Sequence, residues 1–142
     1  MTNIDEIIRI ASRGDGVTAD GRHVPFAAPG DSLNPGGGLI HGPHHIDPPC
    51  PHFQLCGGCQ LQHLDEAVLK TFVQDRIVHA LSAQDLALPE FMPVHISPPH
   101  SRRRVAVRSA WAGKQFQLGF SSEKSHRIVD LTQCDIMAPE LF

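Results

Sequence analysis

Four cysteines carry the chemistry in this 142-residue chain: Cys50, Cys56, Cys59 and Cys134. The first three fall within ten residues, and Cys134 follows Cys59 by 75 positions. Three local thiols and one remote thiol form a cluster-like layout, and a [4Fe–4S] centre takes four thiolates. Gly57 and Gly58 let the backbone turn tightly and aim N–H groups at sulfur without Cβ clashes. Pro48, Pro49 and Pro51 stiffen the approach. Structural zinc accepts the same four thiolates, but its sites more often use two short Cys-x2-Cys knuckles, and this chain has one. Iron–sulfur is therefore favoured over zinc, with free or disulfide-linked thiols as the third reading. His44, His45, His52 and His63 flank the site, but four thiols already suffice and none of the histidines is assigned as a ligand.

A second group of candidates is basic. The formal charge is −3, yet residues 97–128 hold seven Lys or Arg against one acidic residue, while residues 1–96 hold five against eleven. Such asymmetry points to an anionic partner. Strand alternation over Arg104–Trp111, extended back to Arg102, sets Arg102, Arg104 and Arg108 on one face and Arg103 on the other. Lys114, Lys124, His126 and Arg127 lie on neighbouring elements. Arg102, Arg103, Arg104, Arg108, Lys114 and Lys124 are thus the candidate phosphate contacts, with a solvated strand face as the alternative. Trp111, Phe116 and Phe120 are expected in the core, with base stacking as the alternative.

The elements that position these groups follow from pattern. Ile7–Ala11, Val17–Ala19 and His23–Phe26 read as a small β-meander, with Asp20-Gly21 as a type I′ turn. From Pro29 to Pro51, six prolines and five glycines in 23 residues read as a linker or irregular loop. Gly36-Gly37-Gly38 has no preceding strand or following helix, so it is read as a flexible connection and not as a phosphate cradle. A helix is expected after Asp65 as N-cap, with Leu69, Phe72, Val73, Ile77, Ala80 and Leu81 as its packed stripe. Val94–Ile96, Arg104–Trp111, Gln115–Phe120 and Arg127–Leu131 complete an antiparallel meander of three or four strands. The fold class is α+β. No apolar run approaches the roughly 18 residues of a membrane span. The start, Met1-Thr2-Asn3-Ile4-Asp5-Glu6, lacks the features of a secretory signal, so a cytoplasmic location is expected. In that compartment cysteines are metal ligands or catalytic groups before they are disulfides.

The string Cys50-Pro51-His52-Phe53-Gln54-Leu55-Cys56-Gly57-Gly58-Cys59-Gln60-Leu61-Gln62-His63-Leu64 resembles the cluster motif of class I S-adenosylmethionine-dependent RNA (uracil-5-)-methyltransferases of the iron–sulfur 23S rRNA type. Gly14-Asp15-Gly16-Val17 to Pro29-Gly30-Asp31 resembles the start of that family's TRAM domain, a small RNA-binding β-barrel. Arg102 to Arg108, Gly119-Phe120, Ser125 to Asp130 and Cys134 resemble its central β domain. The resemblance implies an abbreviated TRAM-like segment at 1–31, a linker at 32–49 and a cluster-binding domain at 50–142. It tips the basic candidates, Arg102, Arg103, Arg104, Arg108, Lys114 and Lys124, toward RNA. It implies 23S rRNA as partner and S-adenosylmethionine as cofactor of the longer family members. The Rossmann-like catalytic domain is expected to be absent from these 142 residues. With all four cysteines committed to a cluster no thiolate remains to attack uracil C6, and no glycine-rich strand-to-helix turn resembles a cofactor pocket, so the chain alone is expected to transfer no methyl group and bind no methyl donor. A stand-alone metal-stabilised RNA- or protein-binding module is the alternative, and an electron-transfer protein a weaker third.

Overall fold

A computed structural model describes residues 5–142, so the start of the expected signal-free N-terminus, Met1 to Ile4, lies outside the described residues. Among the described residues there are eight short strands and one α-helix. These are β1 (Ile7–Ile10), β2 (Gly16–Thr18), β3 (His23–Val24), β4 (Ser32–Leu33), β5 (Leu39–Ile40), α1 (Glu66–Ser82), β6 (Arg108–Ala112), β7 (Gln115–Ser121) and β8 (Ile128–Asp130), followed by a 3-10 turn at Pro139–Leu141. They build three small antiparallel sheets, β1-β2-β3, β4-β5 and β6-β7-β8, and none closes into a barrel among the described residues. The α+β class holds. No described helix is long and apolar enough to cross a membrane.

Two compact units are present among the described residues, one of residues 5–46 with 63–96 and the other of residues 47–62 with 97–142. The first unit's core gathers Ile7, Ala11, Val17, Ala27, Ala28, Leu64 and Phe72. Three polar side chains, those of Thr18, Asp31 and His63, are buried with them. Asp31 organises the segment after the meander: its carboxylate accepts from the Ala28 and Gly42 N–H groups, each at 2.7 Å, and lies 2.7 Å from His45 Nδ1. Ser32 to Ile40 form a hairpin, β4 paired with β5, within the stretch where a linker is expected from composition. The Asn34 amide oxygen accepts from the Gly36 and Gly38 N–H groups, and Gly37 takes a positive φ of 79°. Pro35 and the three glycines are thus turn residues that close β4 onto β5.

The β2–β3 turn also differs from the expected type I′. Gly21 alone has positive φ, at 88°, and its N–H donates to the Thr18 carbonyl while Thr18 and Arg22 pair. This is a three-residue loop with glycine in the left-handed position, which leaves Asp20 free to bind Arg22.

Asp65 caps α1 as its residue type dictates, accepting from the Val68 N–H at 2.8 Å. The packed stripe is narrower than the period suggests: Phe72 is buried, while Val73, Ile77 and Ala80 are exposed. Helical spacing fixes which residues share a face, but the amount of that face covered depends on what the fold lays against it.

The second unit has about 60 residues and a sparse core, with Phe53, Met137 and Ala138 as its buried apolar side chains. Units this small rarely stand on hydrophobic burial alone. Its sheet runs β6-β7-β8, with Arg108 opposite Gly119 and Gly119 opposite Asp130. Gly119 is needed there, because a Cβ would come within 2.0 Å of the Val129 carbonyl oxygen. The strand expected at Val94–Ile96 is not formed, and the one expected from Arg104 begins only at Arg108. Pro89, Pro93, Pro98 and Pro99 remove ladder donors, and His100 sits at positive φ, so the chain reaches β6 without a neighbouring strand.

Candidate metal centre and basic face

All four cysteines lie in the second unit, with Cys50, Cys56 and Cys59 on the 47–62 segment and Cys134 on the 97–142 segment. None is in a disulfide, and each is half-buried. The loop that carries the first three is wound by short-range bonds: Phe53 N–H donates to the Cys50 carbonyl, and Cys56 N–H to the His52 carbonyl at 2.8 Å. It is then laid against the end of β7, where Gly57 N–H donates to the Ser121 carbonyl at 2.9 Å and Cys56 bridges Ser122.

The thiols sense one another. Burial pushes the Cys56 thiol above its ordinary range; the Gly58 N–H, 3.4 Å from its sulfur, pulls the other way, and charge on Cys50 and Cys134 raises it further. Burial likewise raises Cys59, a hydrogen bond from Gln62 opposes this, and charge on Cys134, Cys56 and Cys50 adds to the rise. At Cys56 and Cys59, burial and the neighbouring sulfurs thus both disfavour the thiolate form. As placed, no three His, Cys, Asp or Glu side chains among the described residues are arranged to hold a single metal ion.

Two side chains near the thiols carry roles that motif reading does not assign. His52 Nε2 lies 3.1 Å from Thr132 Oγ1 and accepts from the Thr132 N–H, also at 3.1 Å, so it ties the cysteine loop to the residue two before Cys134. Gln62 accepts from the Cys50 N–H at 3.3 Å while also bonding Cys59. Spacing from the cysteines gives Gln62 away only weakly, and His52 not at all, since its partner is 80 positions distant. The other flanking histidines belong to the first unit. His44 pairs with the helix cap Asp65, His45 with Asp31, and His63 packs near the Ala27 carbonyl.

The basic candidates are all exposed. Arg102 is held by a parallel bridge to Met137, while residues 103–107 have no strand geometry, so the alternation argument for Arg102, Arg103 and Arg104 does not apply. Arg108 opens β6, Lys114 occupies the β6–β7 turn, and Lys124, at positive φ, lies 3.6 Å from Glu123. Among the described residues, Arg102, Arg103, Arg104, Arg108 and Lys114 form no ion pair. The aromatics depart from the expected core placement: Trp111 and Phe116 are exposed, and Phe120 is half-buried. A groove of about 620 Å³ in the first unit, between β1 and α1, contains none of the candidate residues.

No protein-family model matches the chain. An uncharacterized RNA methyltransferase of Zymomonas mobilis is 49% identical over 137 residues, covering 96% of this chain and 34% of the relative. An uncharacterized RNA methyltransferase of Brucella suis is 33% identical, covering 93% of this chain and 34% of the relative. The 23S rRNA (uracil(1939)-C(5))-methyltransferase RlmD of Pectobacterium carotovorum is 32% identical over 106 residues, which is 72% of this chain and 24% of that protein. The chain thus spans about a third or less of the length of these relatives. By these similarities it belongs to the RNA methyltransferase family.

Proposed function

We propose that this chain is the cluster-binding and RNA-docking part of an S-adenosylmethionine-dependent 23S rRNA (uracil-5-)-methyltransferase acting in the cytoplasm, with Cys50, Cys56, Cys59 and Cys134 as ligands of a [4Fe–4S] cluster. The observation that carries the reading is the gathering of four reduced, mutually interacting thiols, three from one loop and one from 75 residues away, in a small unit with a sparse core. These residues fit a cluster better than one zinc ion. Structural zinc sites more often pair two short Cys-x2-Cys knuckles, whereas three local thiols with one remote thiol suit the four thiolate positions of a cluster. When bound, the cluster supplies a covalent cross-link between the cysteine loop and the Cys134 segment. His52 and Gln62 hold the backbone on either side of that link, and the Gly58 N–H and Gln62 amide stabilise sulfur charge.

The exposed arginines are the docking part. Arg102, Arg103, Arg104, Arg108 and Lys114 are solvated cations on a chain segment rich in positive charge, suited to phosphate oxygens. In this reading methyl transfer and S-adenosylmethionine binding are properties of the whole family member, of which these 142 residues span about a third. The test is binding of a uridine-containing 23S rRNA fragment at graded salt. Affinity should fall steeply as salt rises, and replacing Arg102, Arg103 and Arg104 by Ala should flatten that slope by roughly 2 to 3 in log–log units. Binding that ignores both salt and the arginines contradicts the reading.

A further inference from the structure

The β6–β7 hairpin leaves its aromatic pair in water. Trp111 is 70% exposed and Phe116, directly opposite it across the ladder, is 50% exposed. Their rings meet edge to face, with centroids 5.4 Å apart. Leu118, 46% exposed, continues the same face, while Arg108, Ala110 and Gln117 take the other. Exposing two neighbouring aromatics forfeits the stabilisation that their burial would give. Beside them the turn places Lys114 at the hairpin tip, after Gly113 at a φ of 63°.

Charge indicates what covers this face. Residues 97–128 carry seven Lys or Arg and one acidic residue, which favours a polyanion over an apolar protein patch. A polyanion that also presents flat π faces is a nucleic acid with unpaired bases, because a duplex keeps its bases stacked inside. We propose that Trp111 and Phe116 form a stacking platform for unpaired nucleotides of RNA, with Lys114 on the adjoining phosphate. The proposal rests on the RNA-docking reading above and adds a site to it.

Trp111 is the chain's single tryptophan, so its emission reports on this face alone. The full chain is titrated with a single-stranded RNA of about ten nucleotides and, separately, with a blunt duplex of the same sequence, following tryptophan emission and the anisotropy of labelled RNA. The single strand should quench Trp111 and the duplex should not. Trp111→Ala and Phe116→Ala should each weaken single-strand binding between about 5-fold and 100-fold, and Trp111→Phe should restore most of it. Far-UV circular dichroism checks that each variant is folded; should Trp111→Ala unfold, Phe116→Ala and Trp111→Phe decide. Salt-sensitive anisotropy binding with unchanged emission and neutral aromatic variants would overturn the platform and leave the arginine-based reading standing. No RNA binding at all overturns both. Emission that changes with protein concentration in the absence of RNA, and self-association abolished by Trp111→Ala, would show that a second copy covers the face and overturn the proposal.

Discussion

Gly57→Ala tests how the cysteine loop is seated. Neither Gly57 nor Gly58 takes a positive φ, so the requirement at Gly57 is one of space. A Cβ there would stand 2.7 Å from the Ser121 carbonyl oxygen and 3.4 Å from the Glu123 N, both backbone atoms that cannot swing aside. The Gly57 N–H donates to that same Ser121 oxygen at 2.9 Å. Relieving the clash therefore breaks the bond. Overpacking costs about 1–3 kcal/mol, and the lost hydrogen bond adds about 0.5–1.5 kcal/mol. The expected loss is about 2–4 kcal/mol, a large part of the stability of a unit this size. Gly58→Ala is the contrast: its Cβ meets the Phe120 ring at 3.2 Å, a side chain that is able to give, so the cost should be smaller. Urea unfolding under anaerobic conditions reads the difference, and iron per chain reads its effect on the centre. Gly57→Ala as stable and as iron-loaded as Gly58→Ala would refute the steric argument.

Other perturbations follow from single contacts. Asp65→Ala removes the cap of α1 and should cost about 1 kcal/mol. The Val68 N–H and His44 hold the Asp65 carboxyl below its usual range, so its contribution is present above the unfolded value of about 4 and is lost as pH falls through the lower folded value; an unchanged thermal transition in Asp65→Ala would count against it. Burial lowers the His63 pKa, so the unfolded chain takes up the proton first and stability falls as pH drops below about 6.5, by at most about 1.4 kcal/mol per pH unit. His63→Gln should flatten that part of the stability profile, and an undiminished slope would locate the titration elsewhere. Asp31→Ala strands the Ala28 and Gly42 N–H groups and the His45 ring, and should destabilise the first unit by about 3–5 kcal/mol, measured by denaturant unfolding; a loss below about 1 kcal/mol contradicts this role.

Local chemistry was legible in the sequence where a residue acts on its near neighbours. Asp65 caps the helix that follows it, and the β-meander forms near its expected positions. Features set by distant partners were not legible. The hairpin at β4–β5 looked like a linker because proline and glycine describe turns and disorder alike, and only the Asn34 amide and the Asp31 carboxylate distinguish them. Arg103 and Arg104 looked like strand residues, but a strand needs a neighbour to pair with, and the prolines before them leave none. Trp111 and Phe116 looked like core by hydrophobicity, whereas exposure is decided by which sheet face has cover. The four cysteines stand out by spacing and residue type as candidates; the pairing of His52 with Thr132, which ties the cysteine loop to the Cys134 segment, spans 80 residues and had no local signal.

The central claim is that Cys50, Cys56, Cys59 and Cys134 together hold an iron–sulfur cluster. Its most direct test is metal and sulfide analysis of the chain purified without oxygen, alongside the Cys134→Ser variant. The account predicts a brown protein with about four irons and four sulfides per chain, and loss of that content in Cys134→Ser. A colourless protein with one zinc per chain, or a cluster retained in full without Cys134, would contradict it.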